Sequence, residues 1–129
     1  MTLFRRIDHI GLTPSDFGRS LAFYTAVLGF KAKERVEIDA PPIRGYIYLE
    51  LGDTVLELLD VVDPAAAATE GRRVGFGTMA IEVANMDDTL AYLADRGIRP
   101  SVEPRTGAGG TRRAEIKDPD GLSIELRQW

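Results

Sequence analysis

The sequence predicts an α+β fold made of two tandem βαβββ units that form a cupped mixed sheet with helices on its outer face. Three observations predict it: an internal repeat, alternating apolar residues in short segments, and two helical stripes that each end on glycine. The repeat is the strongest. "HIGL" and "SLAFYTAVLGFKA", beginning at His9, resemble "TMAIEV" and "TLAYLADRGIRP", beginning at Thr78. Thr78 lies 69 positions after His9 and Leu90 lies 69 after Leu21, while Gly97 and Glu125 lie 68 after Gly29 and Glu57, so one deleted residue reconciles all four pairs.

Unit 1 is expected over about 5–61. It opens with a strand in "IDHIGL", whose apolar residues alternate as a half-buried strand requires. A helix follows, with Phe17, Leu21, Tyr24 and Leu28 at helical spacing behind the capping candidates Ser15 and Asp16, and Gly29 ends it. Strands are expected at about 31–38, 44–51 and 54–61. The linker, about 62–74, lies within "VVDPAAAATEGRRVG" and has no alternation; its alternative is a short helix from Ala65 to Thr69. Unit 2, about 75–128, repeats the plan: "TMAIEV", a helix through Met86, Leu90 and Leu93 behind Asn85 and ended by Gly97, then strands at about 98–103, 111–117 and 122–127. Neither half is long enough for a comfortable separate core, so residues 1–129 are expected to form one domain.

Composition narrows the chemistry. The chain has no cysteine, which excludes disulfides, thiolate metal sites and thiol nucleophiles, so any metal must bind nitrogen or oxygen. With 16 Lys and Arg against 20 Asp and Glu, the net charge of -4 gives no support for nucleic-acid binding. "MTLFRRIDHI" lacks the layout of a signal peptide, and no apolar run approaches the roughly 20 residues that span a bilayer. A cytoplasmic protein with no membrane or nucleic-acid partner is the expectation.

Strand parity then picks out a face. Side chains at i and i+2 share a face, so Asp8, Ile10 and Leu12 are expected under the helix, and His9, the only histidine, on the opposite side. The same alternation sets Glu57 apart from Leu56 and Leu58, Glu125 apart from Ile124 and Leu126, and Thr78 and Glu82 apart from Met79 and Ile81. If the units pack side by side, His9, Glu57, Thr78 and Glu125 converge. A carboxylate inside a strand as apolar as "DTVLELLDV" is costly to bury unless it is paired, protonated or bound to a cation. One imidazole and two carboxylates suit Zn, Ni, Co, Mn or Fe(II). The ordinary alternatives are the polar face of an amphipathic strand for Glu57 and an ion pair with Arg127 for Glu125. Tyr46 and Tyr48 share a face in "RGYIYLEL" and are candidate cavity residues. The glycine-rich stretch "PRTGAGGTRRAEIKDPDG" is not a phosphate-binding P-loop, since no GK[ST] follows its glycines, but Arg113 within it is placed to meet a carboxylate or phosphate.

The segments "IDHIGL", "SLAFYTAVLGFK", "VLELLD" and the closing "DPDGLSIELRQ", in that order and spacing, make the chain resemble the vicinal oxygen chelate superfamily: glyoxalases, bleomycin-resistance proteins and extradiol dioxygenases. The resemblance covers almost the whole chain. It implies that the first and last strand of each unit supply metal ligands, which falls on His9, Glu57, Thr78 and Glu125. Thr78 stands where the family usually has histidine, which leaves His9, Glu57 and Glu125 as the expected metal ligands and weakens a dioxygenase reading. The resemblance then implies a glyoxalase- or epimerase-type lyase or isomerase that acts on a substrate with neighbouring oxygens through an enediolate. Glu125 is the favoured base and Glu57 the alternative. A homodimer is also implied, and a metal-free protein that binds a small molecule is the rival.

Overall fold

A computed structural model describes residues 3–68 and 70–129. The chain divides into two compact units, Met1–Ala66 and Ala67–Trp129, and the division falls inside the expected linker.

Unit 1 begins with β1 (Ile10–Leu12). Only this half of the expected "IDHIGL" strand joins the ladder; residues 7–9 precede it. The helix α1 (Phe17–Ala22) is capped by Asp16, whose carboxylate accepts from the Arg19 amide, satisfying one of the unpaired donors of a helix start. Its continuation differs from the regular helix that the spacing predicts. Phe23–Val27 is a π-helical segment, with the Leu28 amide donating to the Phe23 carbonyl, five residues back. Gly29, at φ +83°, then turns the chain. The one strand expected at about 31–38 is two: β2 (Lys31–Ala32) and β3 (Val36–Ala40). Both pair with β4 (Ile43–Leu51), which is followed by β5 (Thr54–Val61). The sheet order is β1-β5-β4-β2, with β3 on β4, and only β1 and β5 run parallel.

Unit 2 holds β6 (Met79–Glu82), α2 (Met86–Ala94), β7 (Val102–Thr106), β8 (Arg112–Lys117) and β9 (Ser123–Gln128), in sheet order β6-β9-β8-β7. Asn85 caps α2 through the Asp88 amide, and Gln128 adds a second acceptor for the Met86 amide at 2.6 Å. The strand expected at about 98–103 starts later. The Ile98 amide is used to close the helix on the Leu93 carbonyl, and Pro100 has no amide to offer a ladder, so pairing begins at Val102. The alternative helix in the linker is not formed: residues 65–68 are irregular, and Thr69 lies outside the described residues.

The register carries the repeat. Ile10 faces Leu56 in unit 1, and Met79 faces Ile124, the repeat-related pair, in unit 2. Tyr24, Leu49, Leu56 and Leu58 are buried in unit 1, and Leu93, Ile116, Ile124 and Leu126 in unit 2, each such side chain contributing roughly 1.5–3 kcal/mol of transfer free energy. That burial puts Glu57 and Glu125 on the opposite faces of their strands, as parity predicts.

Candidate functional site

In unit 1 the sole histidine stands against the expected partners. The His9 Nε2 lies 3.7 Å from Glu57 Oε2, and its ring is edge-on to Tyr48 with centres 5.3 Å apart. Tyr48 in turn meets Tyr46 at 5.0 Å. The strands explain this grouping: Glu57 is flanked in register by Tyr48 on β4 and by Gly11 on β1. With no side chain at Gly11, the Glu57 carboxylate is left partly uncovered, and its side chain is 17% exposed against 31% for His9. Burial pushes the Tyr48 phenol above its ordinary value of 10.0, and Tyr46 and Glu57 add to the effect.

The face expected under the helix is not covered where the strand begins. Ile10 is 50% exposed. Asp8 is exposed as well, and its Oδ2 accepts from His9 Nδ1 at 2.8 Å. That hydrogen bond has a local cause. Residues 7–9 lie before the ladder begins, so the pleat that separates i from i+1 is not enforced there. The hydrogen bond to His9 holds the Asp8 carboxyl below its ordinary value of 3.8, against a smaller effect of burial, and Arg6 at 3.3 Å assists. A carboxylate on Nδ1 fixes the tautomer and aims Nε2 outward, the usual arrangement behind a metal-binding imidazole. No sequence signal beyond adjacency marked Asp8.

In unit 2, Thr78 is exposed just before β6. Glu125 is half-buried, and its Oε1 lies 3.3 Å from Arg127 Nη1 and 3.8 Å from Arg113 Nη1. The Glu125–Arg127 ion pair is thus real. Glu115 faces Glu125 across β8 and β9. Burial pushes the Glu115 carboxyl up, but a hydrogen bond from Ser123 and the Lys117 ammonium at 3.1 Å outweigh it and hold it below 4.5. Glu82 is exposed at the end of β6.

His9 and Glu57 fit a divalent ion as a pair. Metal bonds of about 2.1 Å put two ligand atoms on one ion about 3 to 4 Å apart, and the observed 3.7 Å lies in that range. Among the described residues, no three histidine, aspartate or glutamate side chains are grouped as a metal site. No helix among the described residues is long and apolar enough to cross a membrane.

Comparison with known proteins agrees with this architecture. Residues 6–126 match the model of the Glyoxalase/Bleomycin resistance protein/Dioxygenase superfamily. The chain is 31% identical over 127 residues to the uncharacterized protein YwkD of Bacillus subtilis, covering 96% of this chain and 97% of that one. Among solved structures, a glyoxalase family protein from Enterococcus faecalis superposes with a TM-score of 0.84 at 24% identity, covering 98% of this chain and 99% of that one. The trypanothione-dependent glyoxalase I of Leishmania major superposes with a TM-score of 0.76 at 26% identity, covering 97% and 87% respectively.

Proposed function

The chain belongs to the Glyoxalase/Bleomycin resistance protein/Dioxygenase superfamily, and from that premise we propose that it is a small metal-dependent lyase or isomerase acting on a substrate with neighbouring oxygens. The observation that carries the reading is the Asp8–His9–Glu57 arrangement, an imidazole fixed on one nitrogen and aimed with the other at a carboxylate 3.7 Å away. His9 and Glu57 would hold the divalent metal, with Zn, Ni, Co, Mn and Fe all suited to the donor set. When bound, such an ion supplies Lewis acidity toward the substrate oxygens.

The rest falls to the side chains. Asp8 keeps His9 oriented, and Tyr46 and Tyr48 form an aromatic wall beside Glu57 that limits water. A proton leaving the carbon beside a carbonyl needs a base. Glu125 is the sequence favourite, but two guanidiniums already draw on one of its oxygens. Glu57 has no such guanidinium partner among the described residues, so it is the better-supported base. Glu125 remains the expected third ligand only if it exchanges those partners for the ion. The homodimer belongs to the same proposal, and light scattering of purified protein tests it.

The test is metal-dependent stability. Added Ni, Co, Mn or Zn should raise the melting temperature and switch on proton exchange at a carbon beside a carbonyl, and His9→Ala and Glu57→Gln should lose both responses. If no ion raises the melting temperature or yields activity, the enzyme reading fails. The metal-free reading, a protein that sequesters a small molecule, then takes its place; Thr78 at the expected histidine position and the arginines on Glu125 favour that second reading.

A further inference from the structure

Arg105, Arg113 and Arg127 stand in one cross-strand row, Arg105 opposite Arg113 between β7 and β8, and Arg113 opposite Arg127 between β8 and β9. Register partners share a face. The three guanidiniums therefore emerge together, away from the buried Ala114, Ile116, Ile124 and Leu126. Like charges directly opposite one another are destabilising, and the protein offsets them only in part. Glu125 serves both Arg113 and Arg127 through a single oxygen. Arg105 makes no ion pair among the described residues, and neither does Glu82, which faces Arg127 from β6. The Arg127 Nε is buried and has no hydrogen-bond partner among the described residues.

Unit 1 shows how this chain neutralises arginines for structural ends. Arg35 and Arg44 each reach an oxygen of Asp60 at 2.9 Å, and Arg35 also meets Glu37 at 2.6 Å, so two cations meet two carboxylates. The row in unit 2 instead borders a cavity of about 530 Å³, lined by the three arginines, Thr111, Gly107 and Trp129 among others, with no aspartate or glutamate on its wall among the described residues. That volume suits a small organic molecule. The Trp129 ring lies 4.4 Å from Arg127 Cζ and gives the cavity an aromatic plane beside its charge.

We propose that this cavity binds a small organic ligand through a dianionic oxyanion group, with Arg105, Arg113 and Arg127 holding the charge and Trp129 covering an adjoining planar part. The inference rests on the reading of Arg113 as a cavity residue and on nothing about a metal. Its recognition chemistry is charge-assisted hydrogen bonding, in which forked guanidiniums match the oxygens of a phosphate or a pair of carboxylates.

Trp129 is the only tryptophan, so its emission reports on this site alone. Full-length protein in EDTA is titrated at fixed ionic strength with phenyl phosphate and, separately, with benzoate. Phenyl phosphate should give a saturable change and bind about tenfold or more tightly than benzoate. Arg105→Gln and Arg127→Gln should each weaken it about tenfold, the loss of one charged hydrogen bond. An Arg72→Gln, Arg73→Gln double variant should bind as wild type. Without ligand, Arg105→Gln should melt no lower than wild type, since relieving a like-charge row does not destabilise. A non-saturable response, equal affinity for benzoate, undiminished binding by Arg105→Gln, or equal loss in the double variant would each overturn the proposal. Because EDTA removes any metal, these results stand or fall separately from the metal titrations.

Discussion

Tyr48 and Glu57 face each other directly across β4 and β5, and the His9 imidazole lies against both. The phenol is thereby shielded from water and set beside a carboxylate, both of which favour its neutral form. Ultraviolet titration should show one tyrosine ionising above 10.0, and Glu57→Gln should move it part of the way back. Because the folded value is raised, the stabilisation is fully present below 10.0 and is lost as pH climbs through the folded value.

Asp8 is the residue whose removal should separate orientation from ligation. Asp8→Ala frees the His9 ring to rotate while leaving Nε2 intact, and loss of such an outer partner typically costs about 10- to 100-fold in metal affinity. Calorimetric titration with Ni or Zn should show that loss with an unchanged melting temperature for the metal-free protein. Equal metal affinity in wild type and variant would remove Asp8 from the site.

Asp60 is the structural counterpart, with a side chain only 13% exposed. Burial pushes its carboxyl up, but hydrogen bonds from Arg44 and Arg35 outweigh this and hold it below 3.8. A depressed folded value means that the stabilisation is present above 3.8 and is lost as pH falls through the folded value. Asp60→Asn should therefore cost about 2 to 3 kcal/mol at neutral pH, and urea melts should show the gap to wild type closing in acid.

Gly45 makes the Asp60 cluster reachable. A Cβ there would lie 2.6 Å from the Val36 carbonyl oxygen and 2.8 Å from Arg35 Nη2, so Arg35 crosses β4 only because this position is bare. Gly45→Ala should cost roughly 1–3 kcal/mol, the usual range for overpacking. Thermal melts should also show Asp60→Asn adding less than its full effect in the Gly45→Ala background, since the two share one contact.

Much of this was readable from residue order. The 68- to 69-residue repeat marked out the two equivalent units, the caps Asp16 and Asn85 started both helices, and alternation separated Glu57 and Glu125 from the leucines and isoleucines around them. Other features depend on registers that periodicity does not encode. The arginine row exists because a bulge between Val102 and Arg105 shifts β7 against β8, bringing Arg105 opposite Arg113. Asp8 stays exposed because the ladder starts two residues after it. The split between β2 and β3 is a change of register on β4: Ala32 pairs with Leu49 and the Lys33 amide still bonds to Tyr48, but Val36 pairs with Tyr46, one residue out of step.

The parallel pairings also bear on the order of assembly. Apart from these two, every strand pairing in either sheet is antiparallel. Ile10 meets Leu56 across 46 positions of chain and Met79 meets Ile124 across 45, so β1 and β6 can dock only after the intervening loop has lost its freedom. Each unit should therefore condense from its hairpins outward and admit its first strand last. In hydrogen exchange the amides of β1 and β6 would then be the earliest to open, the edge at which each half of the molecule comes undone.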